Sequence, residues 1–272
     1  MPELPEVETT RRGIEQHLIN HTITKVIIRQ PKLRWPIPSG DLKNNLPTQK
    51  LLRITRRGKY LIFHCRPGSL IIHLGMSGSL RIMPIDSKPK RHDHFELNFE
   101  NKSLLRLNDP RRFGAVLWES KNPLKHRLIR DLAPEPLSKK FDREWLSTKL
   151  KGRNASIKSL IMNNQIVTGV GNIYANESLF EARINPLILG KELNKDRCEG
   201  LVKAIKKILK RAIKLGGSSL QDYVNPQGTP GYFQLKYKVY NRSGLPCQIC
   251  KSKIVKETLL QRATYFCRKC QV

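Results

Sequence analysis

The pattern of apolar and polar positions changes once along this chain. Residues 22–118 carry short apolar runs separated by turn-forming residues. Thr22–Arg29 reads as a first strand, with Thr24, Val26 and Ile28 on one face. Leu51–Ile54 and Tyr60–Cys65 flank Arg56-Arg57-Gly58-Lys59. Leu70–Leu74 and Ser79–Met83 flank Gly75-Met76-Ser77-Gly78, and Phe95–Phe99 and Leu104–Leu107 flank Glu100-Asn101-Lys102-Ser103. Short strands joined by Gly- or Asn-bearing turns predict an antiparallel sandwich or barrel. After Ala133–Ser138, where Pro134 and Pro136 mark an interdomain link, the period becomes helical. Helices are predicted at Asp142–Leu150, Ser156–Met162, Ile173–Ala182 and Asp196–Leu215. In the last, Leu201, Ile205, Ile208, Ala212 and Leu215 form one stripe, Lys203, Lys206, Lys207 and Lys210 form a solvated face, and Gly216-Gly217 supplies the stop. Residues 218–233, rich in Gly, Pro and Ser, read as a long loop of the kind that usually serves function. Strands followed by helices make the class α+β.

Charge changes the picture most. The 272 residues hold 51 Lys and Arg against 22 Asp and Glu, a formal +29 at pH 7. So large an excess attracts a polyanion. No apolar run is long enough to span a membrane, and the opening residues carry no signal-peptide pattern, so a soluble cytosolic protein that meets nucleic acid is expected. Four of the six cysteines form two C-x2-C pairs, Cys247 with Cys250 and Cys267 with Cys270, a spacing that closes a tetrahedron around one zinc. All four positions are thiolates, which leaves none open for water and makes the metal structural. Cys65 and Cys198 stand alone in apolar or helical context and read as inert buried thiols.

The opening Pro2-Glu3-Leu4-Pro5-Glu6-Val7-Glu8 carries candidate chemistry. Removal of Met1 leaves Pro2 as a free secondary amine, which titrates near pH 8 and is partly nucleophilic at neutral pH. Attack on a sugar C1′ would give an iminium that serves as an electron sink, with Glu3 and Glu6 placed to handle protons. The same residues also suit a plain helix start, with proline in the first turn and carboxylates facing the helix dipole. Gly169-Val170-Gly171-Asn172 precedes a helix, where exposed N–H groups suit a phosphate, and Arg153 and Lys158 before it are candidate phosphate ligands. His92-Asp93-His94 lacks the further ligands of a metal site.

These motifs occur in one order: the opening, Arg57-Gly58-Lys59-Tyr60, His73-Leu74-Gly75-Met76-Ser77-Gly78, Asp109-Pro110-Arg111-Arg112-Phe113-Gly114, Gly169-Val170-Gly171-Asn172-Ile173-Tyr174 and the four cysteines. Together, from residue 2 to residue 270, they resemble bacterial formamidopyrimidine-DNA glycosylases, which excise oxidised purines. The resemblance implies an N-terminal β-sandwich catalytic domain over 1–133, a linker and first helix over 134–149, a helix–two-turn–helix domain over 150–235 and a zinc ribbon over 236–272, with DNA in the cleft between. It implies a DNA glycosylase and AP lyase of base excision repair acting as a monomer on duplex DNA that holds 8-oxoguanine opposite cytosine, or formamidopyrimidines, in the bacterial cytoplasm at the nucleoid, with one structural Zn2+ and no membrane partner. By the same resemblance Pro2 is the nucleophile, Glu3 protonates the sugar ring oxygen or the leaving base, Lys59 assists β-elimination, and Arg262 reaches the lesion phosphates and assists δ-elimination. Met76, Arg111 and Phe113 fill the void left by the extruded base, with Arg111 on the orphaned cytosine. His92 contacts DNA, Asn172, Lys158 and Arg153 bind its backbone, and the loop from Ser218 to Gly231 meets the flipped base. Endonuclease VIII, a related branch with a different opening, and a non-catalytic zinc-ribbon DNA binder are the alternatives.

Overall fold

The computed structural model describes residues 2–218 and 236–272. It forms two compact units, Met1–Arg130 with Leu215–Tyr232, and Asp131–Lys214 with Phe233–Val272.

The first unit opens with helix α1 (Leu4–Leu18), which starts at Pro5 in its first turn and buries Leu4, Val7, Ile14 and Leu18. Strands β1 (Ile23–Ile28), β2 (Arg53–Arg57), β3 (Tyr60–Cys65), β4 (Gly68–His73), β5 (Ser79–Pro84), β6 (Asp93–Phe99), β7 (Ser103–Asn108) and β8 (Ala115–Glu119) follow, with a short helix α2 (Ser39–Asn45) between the first two. They build two four-stranded antiparallel sheets, in the orders β1-β6-β7-β5 and β2-β3-β4-β8. Leu80, Phe95, Leu97 and Leu107 from one sheet meet Ile54, Phe63, Leu70, Ile72 and Val116 from the other in a single core, which Val7, Ile14 and Leu18 of α1 extend. Each such side chain contributes about 1.5–3 kcal/mol on burial. The antiparallel sandwich is therefore the sandwich branch of the sequence expectation.

Two local departures have physical causes. Thr24 is exposed, and Ile23 joins Val26 in the core instead. A bulge between Ile23 and Lys25 inserts one residue opposite β6 and resets the alternation. Strand β2 begins two residues later than Leu51 and continues to Arg57, because the β2–β3 connection consumes only Gly58 and Lys59.

The second unit contains α3 (Arg143–Leu150), α4 (Ile157–Ile161), α5 (Asn172–Glu181) and α6 (Lys195–Lys214), followed by the hairpin β9 (Val255–Leu259) and β10 (Arg262–Phe266). Asp142 caps α3 by accepting from the Trp145 N–H at 2.8 Å, and Ser156 caps α4. Helix α6 turns Leu201, Ile205, Ile208 and Ala212 inward, while Lys203 pairs with Glu199 and Lys207 with Glu181. Helix α5 is buried from Ile173 to Phe180 and packs against both α6 and β10. Glu177 sits on that helix with both carboxylate oxygens occupied: Oε1 accepts from the Val239 and Tyr240 N–H groups at 3.0 and 2.8 Å, and Oε2 from that of Lys238 at 3.0 Å. Among the described residues no helix is long and apolar enough to cross a membrane.

Candidate functional site

The amino end is buried. Pro2 is buried, and Glu3, 2% exposed, occupies the N-cap of α1. The Glu3 N–H donates to Glu6 Oε2 at 2.8 Å, and Glu6 Oε1 accepts from the Ser218 N–H at 2.8 Å. Carboxylates here face the positive end of the helix dipole. Strand β2 runs back along α1: Arg11 reaches the Ile54 carbonyl, and Arg56 pairs with Glu8 at 3.0 Å. Both contacts run toward the N-terminus of the helix, and Gly58 and Lys59 follow Arg56 by two and three residues. Gly58 adopts φ +58°, which a two-residue hairpin turn needs and other side chains resist. Lys59 is 8% exposed.

Beside this turn is a residue that the sequence shows only as part of a longer motif. The His73 ring lies 4.7 Å from that of Tyr60, and its Nδ1 accepts from the Gly75 N–H at 3.0 Å. Burial, reinforced by the positive charges of Lys59 and Arg34, pushes His73 down to about 4. It is thus a neutral imidazole with its proton on Nε2, and a donor at neutral pH. The only sequence signal is its place ahead of the Gly75-Met76-Ser77-Gly78 turn.

Next to His73 opens a cleft of about 700 Å3 lined by Arg34, Met76, Arg111, Arg112 and Phe113. Met76 is 38% and Phe113 44% exposed, so neither is a core residue, and Arg111 is exposed with its guanidinium 5.0 Å over the Phe113 ring. Arg111 forms no ion pair with the neighbouring Asp109 among the described residues; the Asp109 carboxylate accepts from Ser77 Oγ and the Gly114 N–H instead. Arg34, Arg111 and Arg112 have no carboxylate partner among the described residues, unlike Arg11, Arg12 and Arg29. Their charge is available to phosphate. His92, at φ +74°, immediately precedes β6, and its ring lies 6.0 Å from that of His94. His94 is turned inward to the Asp109 carbonyl at 3.0 Å, so the two histidines do not converge on an ion.

In the second unit Asn172, the first residue of α5, donates from Nδ2 to the Ala263 carbonyl at 3.0 Å. Lys158 departs from the expectation of a phosphate ligand. It is 1% exposed, and its ammonium donates to the same Ala263 carbonyl at 2.9 Å and to Thr264 Oγ1 at 2.8 Å. A charge buried this deeply must be spent on internal acceptors, so Lys158 positions β10 from beneath. Asn176 completes the anchorage by accepting from the Tyr265 N–H at 2.7 Å. These bonds fix the strand that carries Arg262, which is exposed at the start of β10 after the left-handed pair Leu260 and Gln261. Arg153 is also exposed.

The sulfur atoms of Cys247, Cys250, Cys267 and Cys270 all lie within 4.8 Å of one another, with Cys247–Cys270 at 3.8 Å and Cys250–Cys267 at 3.4 Å. A tetrahedral Zn–S4 centre with bonds of about 2.3 Å requires sulfurs about 3.8 Å apart. The four thiolates fit one structural zinc, and among the described residues this is the only such cluster. Cys65 and Cys198 are buried, and burial pushes Cys65 up to about 11. From residue 219 to 231, the loop expected at the flipped base lies outside the described residues.

Family comparisons agree with this geometry. Residues 1–116 match the formamidopyrimidine-DNA glycosylase N-terminal domain, 132–224 the H2TH domain of the same enzymes, and 244–272 a zinc finger found in FPG and IleRS. The chain is 51% identical over 271 residues to formamidopyrimidine-DNA glycosylase of Hydrogenovibrio crunogenus, covering 100% of this chain and 96% of that protein. It is 48% identical to that of Nitrosococcus oceani, with 100% of both covered. Among solved structures it is similar to the MutM (Fpg) protein of Thermus thermophilus, with a TM-score of 0.89, 36% identity, and 99% and 98% of the two chains covered. A complex of Lactococcus lactis Fpg with abasic-site DNA gives a TM-score of 0.92 at 34% identity, with 99% of each chain covered.

Proposed function

The chain belongs to the formamidopyrimidine-DNA glycosylase family, and on that premise we propose that it excises oxidised purines from duplex DNA and then cleaves the strand as an AP lyase. Its substrates on this reading are 8-oxoguanine opposite cytosine and formamidopyrimidines, met in the bacterial cytoplasm at the nucleoid. The observation that carries the reading is the buried Pro2-Glu3 start of α1, toward which β2 delivers the Lys59 turn.

With Met1 removed, the Pro2 nitrogen attacks C1′ while Glu3 protonates the ring oxygen or the departing base, and the N-glycosidic bond breaks. The resulting iminium draws electrons as a C2′ proton leaves, which expels the 3′ phosphate. Lys59, next to neutral His73, stabilises charge on that phosphate side. A second elimination expels the 5′ phosphate, leaving a one-nucleotide gap with phosphate at both ends. Before any of this the base must leave the stack. Met76 and Phe113 occupy the space it vacates, Arg111 faces the unpaired cytosine, and His92, Asn172, Arg153 and Arg262 hold the backbone, with Arg262 also assisting δ-elimination and Lys158 acting through β10. The zinc folds the ribbon and takes no part in the chemistry.

Replacing Pro2→Gly or Glu3→Gln tests this against a DNA-binding module. Duplex affinity should stay close to wild type while base excision disappears. Wild-type excision by Glu3→Gln would overturn the proton role. A clear preference for thymine glycol over 8-oxoguanine would move the chain to the endonuclease VIII branch.

A further inference from the structure

Beneath the three exposed side chains of the cleft lies a carboxylate that the chemistry above does not use. Asp109 is fully buried at the end of β7. Its Oδ1 accepts from Ser77 Oγ at 2.9 Å and its Oδ2 from the Gly114 N–H at 2.7 Å. Its carbonyl accepts from the Arg112 N–H at 3.2 Å and from His94 Nε2 at 3.0 Å. Ser77, itself buried, returns the connection by accepting from the Arg111 N–H at 3.2 Å. One side chain therefore ties the turn that carries Met76 to the turn that carries Arg111 and Phe113. The backbones touch as well: Gly75 adopts φ +65°, and a Cβ there would stand 2.4 Å from the Phe113 carbonyl carbon.

We propose that Asp109 and Ser77 are positioning residues that make Met76, Arg111 and Phe113 one rigid wedge, so that base extrusion and recognition of the opposite base depend on this buried link. The proposal rests on the reading of the cleft as the base-extruding face. Two separate turns move independently, and each would have to be ordered when DNA binds, at a cost in backbone freedom. A charged acceptor with both oxygens satisfied removes that cost in advance. Phe113 and Arg111 are already stacked in the free protein, as pre-ordering requires.

The test compares two activities of the zinc-loaded full chain with Met1 removed. One is single-turnover excision of 8-oxoguanine from a duplex, opposite C and opposite A. The other is β-elimination at a preformed abasic site, where no base has to be extruded. Ser77→Ala should lower the ratio of excision to β-elimination about tenfold, the scale of one lost hydrogen bond to a charged group, and should narrow the C-over-A preference. In a Phe113→Ala background the same substitution should change the ratio less than in the wild type, because part of its effect runs through that ring. Asp109→Asn is the second variant: its amide cannot accept at both positions, and it should shift the ratio in the same direction. Equal losses in both activities, or an unchanged ratio with an unchanged C-over-A preference, would overturn the proposal. Failure of the wild type to excise any base would instead overturn the functional reading on which it rests.

Discussion

Phe113→Ala separates a wedge from a core residue by magnitude. Truncating a fully buried phenylalanine costs about 3–5 kcal/mol. Phe113 is 44% exposed, and its contact with the Arg111 guanidinium is the solvated kind worth about 0.5–1 kcal/mol. The free protein should therefore lose only about 1–2 kcal/mol, a few degrees in Tm for a chain of this length. Against DNA the ring matters more, because stacking on a base is worth about 1–3 kcal/mol by alanine substitution. Excision from a stacked duplex should slow by about 5- to 150-fold. The assay is single-turnover release of 8-oxoguanine at saturating enzyme, run beside calorimetric melting. Unchanged excision would refute the wedge role. A stability loss of the full core magnitude would show that the half-exposed ring serves the core instead.

Three further outcomes follow from the same geometry. Burial alone would raise the Glu8 carboxyl, but Arg11, Arg12 and Arg56 outweigh it and hold the group at about 2. A depressed carboxyl contributes stability that is complete above its unfolded value near 4.5 and is lost as pH falls toward 2, so Glu8→Gln should cost about 1–3 kcal/mol at pH 7 and converge with wild type in acid, as pH-dependent denaturant melts would record. Chelating the zinc should unfold the ribbon and weaken DNA binding while the sandwich persists, seen as selective loss of amide protection in 244–272; an intact ribbon after complete metal removal would contradict the structural assignment. With about six phosphate contacts, log affinity against log salt should fall with a slope near −5, and a flat response would show that the +29 charge is not spent on DNA.

The β2–β3 and β6–β7 pairs are legible because Gly58 and Asn101 punctuate apolar runs of matching length, and the zinc because four cysteines stand at ligand spacing; the runs that flank Gly75 do not pair, because the chain crosses there from one sheet to the other. Helix α2, with only Leu42 buried, carries too little periodicity to announce itself. The bulge at Thr24 was hidden because it is imposed by pairing with β6, which the local alternation of β1 does not encode. Lys158 misled because a lysine near a glycine loop reads as a phosphate ligand, whereas its acceptors lie more than a hundred residues away on β10. Asp109 and His73 stand within sequence motifs that give them no roles of their own, for the same reason: their partners, Ser77 and Gly114 for one, Tyr60 and Lys59 for the other, converge only through the fold.

The central claim is that Pro2 is the nucleophile of a DNA glycosylase and lyase. Its most direct test is borohydride trapping on a duplex with one 8-oxoguanine opposite cytosine, using zinc-loaded protein with Met1 confirmed removed. A covalent protein–DNA adduct whose peptide map places the bond on Pro2 is the predicted result. Intact duplex binding with no adduct, or an adduct on Lys59 in place of Pro2, would contradict it.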